Sequence, residues 1–229
     1  HDWQLKRLHR LIMTSDAYQQ ISRRNAKQDK IDPDNRLLGR MNVRRMEAET
    51  IRDSILTLSG RLNLKMYGKP VPVKENDAGQ VVIGVSTNDG ANRPTGKTVD
   101  MKGEENRRSL YVQVRRSKVL SFVDAFDAPS MEPNCTKRTV STVAPQALML
   151  MNNNFVISEC RSMAGRLQHL AKGSLDTQLG LAWETTLGQA PSAGELAQSA
   201  AFVEKQTALF KTQKEKQPDL AALANYCQA

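Results

Sequence analysis

The sequence predicts a mainly α-helical fold with a small β-sheet and a loop-rich excursion, an α+β arrangement. In several stretches apolar residues recur every three or four positions, which is the spacing of amphipathic helices. One short stretch alternates apolar and polar residues, as a half-buried strand does. Another stretch, residues 65–105, holds six of the thirteen glycines and three of the nine prolines of the 229-residue chain, which indicates turns and irregular backbone.

The first part of the chain, residues 1–64, is predicted to be helical. Apolar residues at helical spacing indicate a helix over residues 5–12. The polar residues 20–31 predict a loop, and Asp32-Pro33 predicts the next helix start, because Asp accepts backbone N–H bonds and Pro tolerates the first helical position. A longer helix is predicted over residues 44–58, with Gly60 as a left-handed stop.

Residues 65–106 form the loop-rich excursion, in which residues 81–85 predict a short strand. The clearest strand prediction covers residues 109–115, where Leu110, Val112 and Val114 point to one side. This strand opens the third part, residues 107–229, which is predicted to continue as helices.

The C-terminal helices are predicted from spacing and caps. A short helical turn is expected over residues 122–126, and a helix from residue 144 to the asparagine run at 152–154. Gly188 is expected to end a later helix, and Ser192 with Glu195 forms a capping box for the next. A core-facing stripe is predicted for Val156, Cys160, Met163, Leu167 and Leu170.

The three parts are expected to form one domain. The last predicted helix, capped by Asp219, stops at Ala229 without a helix breaker, so we expect a C-terminally truncated domain. No apolar run approaches the roughly 18 to 20 residues of a membrane span.

The net charge of +9 arises in the first 140 residues, because acidic and basic residues balance beyond them. A basic surface attracts any polyanion, including nucleic acid and anionic polysaccharide. Zinc-finger spacing, an aromatic RNA-binding signature and a recognition helix are all missing from the sequence, so nucleic acid is not the expected partner.

One polar cluster is the candidate ligand-binding site: Arg115, Arg116, Glu132, Asn134 and Arg138. In a functional interpretation, the carboxylate and amide bind sugar hydroxyls and the arginines bind carboxylate or sulfate groups. In a structural interpretation, Glu132 pairs with an arginine and ties a loop to the strand. Both interpretations stay open at this point, with the structural one favoured, because buried polar groups need partners in any protein.

No catalytic residue can be assigned from the sequence. Cys135 has no histidine at a spacing that indicates activation, and no His and Cys spacing predicts a metal site. Glycoside hydrolysis needs two nearby carboxylates, and five residues qualify by chemistry alone. These are Glu47, Glu49, Asp53, Asp124 and Asp127.

Four segments of the sequence resemble the planctomycete PSD domain, a family of unknown function. They are LKRLHRLIMTSDAYQQ (5–20), DPDNRLLGRMNVRRMEAETIRDSIL (32–56), RRSLYVQVRRSK (107–118) and FVDAFDAPSMEPNCTKRTVSTVAPQALMLMNN (122–153). The resemblance implies a secreted, periplasmic or cell-envelope protein that often carries a c-type cytochrome domain. This chain has no Cys-x-x-Cys-His, so we expect haem only on another part of the protein or on a partner.

Three functional hypotheses follow from the resemblance and the basic first 140 residues. The preferred one is a noncatalytic binding or assembly module that recognises complex or anionic polysaccharide beside a cytochrome-containing region. The second is a glycan-active enzyme domain, hydrolytic or redox-coupled. The third is a structural subunit of a large envelope assembly.

Overall fold

The computed structural model describes residues 3–91, 93, 95, 97, 99–129, 138 and 140–229. The protein is about 50% helical and has a small two-stranded antiparallel sheet, which confirms the predicted fold class. The strands are β1 (Val73–Glu75) and β2 (Val81–Ile83). The helices within the described residues are α1 (Leu5–Met13), α2 (Ala26–Ile31), α3 (Ala48–Ser59), α4 (Ser121–Ala125), α5 (Ala144–Asn152), α6 (Asn154–Leu170), α7 (Leu175–Leu187), α8 (Ala193–Thr212) and α9 (Pro218–Gln228).

The chain divides into two compact units, His1–Met46 and Glu47–Ala229. The smaller unit contains α1, which forms as predicted but buries none of its residues. It also contains α2, in the stretch predicted as a loop. The side chain of Asn25 accepts the N–H of Lys27 and so caps α2, a signal that the polar composition of this stretch concealed.

The helix predicted to start at Asp32-Pro33 does not form. The Asp32 carboxylate instead accepts the N–H groups of Arg36 and Leu37 at 2.9 and 2.7 Å, which closes a loop. Asn35 has a φ of 53°, in the left-handed region that does not continue an α-helix. Side-chain bonds to the backbone therefore replace helical bonds here.

In the larger unit, α3 begins at Ala48 rather than near residue 44, and Gly60 ends it with a φ of 77°, as predicted. The hairpin of β1 and β2 follows, with Val73 opposite Ile83 and Glu75 opposite Val81. Ser121 Oγ accepts the Val81 N–H at 2.9 Å, so the start of α4 is tied to β2.

The strand predicted for residues 109–115 is wrong. Residues Ser109–Tyr111 form a 3₁₀ turn, and only an isolated parallel bridge joins Val112 to Val71. The backbone groups of this segment are bound by α3 instead, because the Asp53 carboxylate accepts the Ser109 N–H at 2.7 Å. Of the three alternating apolar residues only Val112 is buried, and more than half of the surface of Leu110 and Val114 is exposed.

Helix α6 connects two clusters of buried apolar residues. Val156, near its start, belongs to the cluster that includes Phe122 and Phe126, and Met163 and Leu167 belong to a second cluster with residues of α7, α8 and α9. Cys160 packs partly buried against the first cluster. The predicted stripe is correct up to Leu167, but Leu170 is 56% exposed in the last turn of the helix.

The C-terminal helices follow their predicted caps closely. Gly188 ends α7 with a φ of 68°. Ser192 and Glu195 form the predicted capping box of α8, with the Ser192 N–H donating to Glu195 Oε2 at 2.8 Å. Helix α9 starts one residue earlier than expected, at Pro218, so Asp219 lies in its first turn rather than at the cap.

Candidate functional site

The larger unit contains a cleft of about 610 Å³. It is lined by residues of β2, the 3₁₀ turn Glu104–Asn106, the start of α4, and the junction between α5 and α6. This volume lies within the range of small-molecule sites, which combine apolar walls with a few polar groups.

Arg52 of α3 lines the cleft and is buried, with 2% of its surface exposed. Its Nη1 donates to the Arg107 carbonyl at 2.9 Å and to Ser109 Oγ at 3.2 Å, and its Nη2 donates to the Glu105 carbonyl at 2.7 Å. Burial lowers the pKa of Arg52 to about 10, so the guanidinium is still protonated at neutral pH. Arg52 therefore fixes the backbone that carries Glu105 and adds a positive charge to the cleft wall.

Glu159 of α6 is the most deeply buried carboxylate of the cleft, with 3% of its surface exposed. Its Oε1 accepts a hydrogen bond from Arg61 Nη1 at 2.9 Å. Its Oε2 is buried and has no hydrogen-bond partner. A buried charged oxygen without a donor is unfavourable, so Glu159 is a candidate ligand-binding group rather than a packing residue.

Glu105 supplies a second carboxylate. Its Oε2 is also buried without a hydrogen-bond partner, and the residue lines the same cleft. The cleft therefore contains two carboxylates, Glu105 and Glu159, and two guanidinium groups, Arg52 and Arg61. Their formal charges balance.

The junction of α5 and α6 adds amides and an aromatic ring. Asn153 accepts the Phe155 N–H at 2.8 Å and so caps α6, which places Asn152, Asn153 and Asn154 in the cleft lining. The ring of Phe155 packs edge-on against Phe122 at 5.4 Å between centroids. Amides, carboxylates and apolar side chains in one cleft are suited to a hydroxyl-rich ligand, which offers both hydrogen-bond donors and apolar C–H surface.

Among the residues predicted to bind ligand, Arg138 is held by α3. Its Nη1 and Nη2 donate to the two carboxylate oxygens of Glu49 at 2.7 and 3.1 Å, and Nη1 lies 3.3 Å from Glu47 Oε2. Burial raises the pKa of Glu49, but the hydrogen bonds and charge of Arg138 outweigh it, and the pKa lies below its ordinary value. These contacts are those of a structural ion pair.

The other predicted residues are placed differently. Arg115 and Arg116 are exposed, in a tight turn that closes with the Lys118 N–H donating to the Arg115 carbonyl at 3.1 Å. Glu132 and Asn134 lie outside the described residues, as does Cys135. The five-residue site stays a prediction.

The carboxylates proposed for hydrolysis have other partners. Besides the Arg138 pairs, Asp53 Oδ1 accepts both the N–H and the hydroxyl of Ser109 at 2.7 Å, and Asp127 accepts from Ser141. Glu105 and Glu159 were missed by sequence reasoning. Glu159 did leave a signal, because it follows Val156 by three residues and so lies within the predicted core-facing stripe of α6.

The described cysteines show no activation. Burial raises the pKa of the Cys160 thiol to about 11 and that of Cys227 to about 12. A thiol with so high a pKa is almost entirely protonated at neutral pH and is a poor nucleophile. Across the described residues, no three His, Cys, Asp or Glu side chains are grouped as a metal site would require. The absence of metal and haem from this chain stays a prediction.

Comparison with known protein families matches residues 1–203 to PSD1, described as a protein of unknown function (DUF1553). The chain belongs to this family, as the sequence resemblance indicated. No curated protein and no solved structure matches the chain. In the part of the chain that the structure describes, no helix has both the length and the apolar character needed to cross a membrane.

Proposed function

We propose that the protein is a noncatalytic polysaccharide-binding module and that the cleft of the larger unit is its binding site. One observation carries this proposal: Glu159 is buried in the cleft, and its Oε2 has no hydrogen-bond donor. A sugar hydroxyl is a donor of suitable size. The asparagine amides and Phe155 around it are residue types that complement sugar hydroxyls and sugar rings.

The biological setting of the proposal rests on the family resemblance. It is a secreted, periplasmic or envelope protein that acts beside a cytochrome-containing region, with any haem on another part of the protein or on a partner. The basic excess in the first 140 residues supports contact with a complex or anionic polysaccharide, because a polyanion is attracted over long distances.

Retention of the purified chain on insoluble polysaccharides, both uncharged and anionic, tests the proposal. We expect retention on at least one polysaccharide, with release by its soluble oligosaccharide and with no new reducing ends. Passage of folded protein through every matrix would contradict it. Retention within a purified multi-subunit envelope complex, without polysaccharide binding, would favour the structural-subunit hypothesis instead.

A glycan-active enzyme is the second candidate, because Glu105 and Glu159 place two carboxylates with unpaired oxygens in one cleft. Glycoside hydrolysis uses two carboxylates on either side of the scissile bond. Under that hypothesis reducing ends accumulate with time, and Glu159→Gln abolishes their release without abolishing retention.

A further inference from the structure

We propose that Glu105 and Glu159 form a subsite for the hydroxyl groups of an uncharged sugar unit, and that the cleft selects against anionic and cationic sugars. This inference rests on the proposed function and specifies its ligand. The basic surface elsewhere then contributes long-range attraction, and the cleft supplies the selectivity.

The unsatisfied groups in the cleft determine what the ligand must supply. Glu105 Oε2 and Glu159 Oε2 are both buried acceptors without a donor. A ligand that donates a hydrogen bond to each of them removes an unfavourable unpaired group and gains a charge-assisted bond. The ligand therefore needs at least two O–H or N–H groups.

The arginines of the cleft cannot supply those donors in the observed arrangement. Arg52 donates to two carbonyls and to Ser109 Oγ, and Arg61 Nη1 donates to the other oxygen of Glu159. Their bonds stabilise the protein and keep their positive charges beside the carboxylates.

Charge balance distinguishes the classes of sugar. A uronate or sulfate group has no hydrogen to donate and is repelled by Glu105 and Glu159. An ammonium group can donate, but Arg52 and Arg61 already match the two carboxylates in charge, so its desolvation is not compensated. A neutral hydroxyl donates at the lowest desolvation cost and is the favoured ligand group.

Access to Glu159 requires a side chain to shift, because its Oε2 is shielded from water. Arg61 has room to move, since 37% of its side chain is exposed. We expect a bound sugar to displace the Arg61 side chain while the Glu159 carboxylate stays in place on α6.

Calorimetric titration of the 229-residue chain tests the selectivity. The probes are the uncharged cellohexaose, mannohexaose and xylohexaose, the anionic hexagalacturonate, and the cationic hexamer of glucosamine, all at 0.15 M salt. We expect at least one uncharged hexaose to bind about tenfold or more tightly than either charged hexamer, as the loss of one charge-assisted bond implies.

Two variants test the residues. Glu159→Gln and Glu105→Gln each remove a carboxylate acceptor, and we expect each to weaken the uncharged hexaose about tenfold or more. Glu184→Gln, at an exposed position of α7, is the matched control and should bind as the unsubstituted chain does. Circular dichroism confirms that each variant is folded at the titration temperature. If Glu159→Gln does not fold, Glu105→Gln decides.

The outcomes separate the two proposals. Tighter binding of a charged hexamer, or unchanged affinity in a folded Glu159→Gln or Glu105→Gln variant, overturns the subsite and leaves the polysaccharide-binding function standing. Absence of binding for every probe, together with passage through every polysaccharide matrix, overturns both.

Discussion

Buried arginines organise the larger unit at the scale of single residues. Arg107 has 1% of its surface exposed, and it donates to the carbonyls of Lys65, Tyr67 and Lys69. Its guanidinium also lies 4.2 Å from the ring centroid of Tyr111. One side chain thus satisfies three backbone acceptors of the irregular excursion, which has little regular secondary structure to satisfy them.

Arg107→Ala is therefore expected to lower the free energy of unfolding by about 3 kcal/mol or more, since it leaves several carbonyls without a donor. The neighbouring Arg108→Ala is the matched control. Arg108 is 53% exposed in its side chain and only pairs with Asp53 at 3.6 Å, so its loss should cost less than about 1 kcal/mol. Urea denaturation of both variants measures the difference, and equal destabilisation would contradict the structural role of Arg107.

The sequence could not identify which charged residues are buried. Arg52 and Arg107 occur among many other charged residues, and periodicity alone would assign them to solvent-exposed faces. Their burial depends on carbonyl groups of segments more than thirty residues away in the chain, such as the Glu105 carbonyl for Arg52. Glu159 was recoverable from its place in an apolar stripe, whereas Glu105 in its irregular turn was not.

At the scale of secondary-structure elements, the ion pair of Arg138 with Glu49 fastens the segment before α5 to the first turn of α3. Both side chains are about one-third exposed, so solvent screens the pair. We expect Arg138→Ala to lower the free energy of unfolding by about 1 kcal/mol or less and to leave saccharide affinity unchanged. A loss of affinity in the folded variant would favour the binding site predicted from sequence.

The same pair gives a pH dependence of defined sign. The pKa of Glu49 is lowered in the folded chain, so its contribution to stability is present above the unfolded pKa and is lost as the pH falls through the folded value. The difference in unfolding free energy between the unsubstituted chain and Arg138→Ala should therefore shrink on acidification below about pH 4, the ordinary range for Glu. Denaturation at pH 7 and pH 3 checks this, and a gap that widens at pH 3 would contradict it.

Elements with strong local signals were predicted correctly, and those decided by tertiary contacts were not. Gly60, Gly188 and the Ser192 capping box mark helix ends through local backbone chemistry, and each functions as predicted. The strand at residues 109–115 failed because Arg52 and Asp53 of α3 bind its backbone groups, an interaction across more than fifty residues that alternation cannot reveal.

For the whole molecule, both buried apolar clusters and the cleft belong to the larger unit. The smaller unit buries the polar side chain of Asn35 and none of the residues of α1 or α2. Stability and the proposed binding function should therefore both reside in the larger unit.

A fragment of residues 44–229, which keeps a short lead-in to α3, is expected to fold cooperatively and to retain the saccharide affinity of the full chain within about twofold, because distant independent sites contribute additively. Thermal unfolding by circular dichroism and calorimetric titration check this. A fragment that fails to unfold cooperatively, or that folds but no longer binds, would show that the smaller unit contributes to the core or to the site.

The most direct measurement of the central claim is a crystal structure of the chain with the tightest-binding hexaose. We predict that the sugar occupies the cleft, with hydroxyl oxygens about 2.5 to 3.0 Å from Glu105 Oε2 and Glu159 Oε2, and with the Arg61 side chain displaced. A sugar bound at Arg115 and Arg116, or one bound in the cleft without contact to either carboxylate, would contradict it.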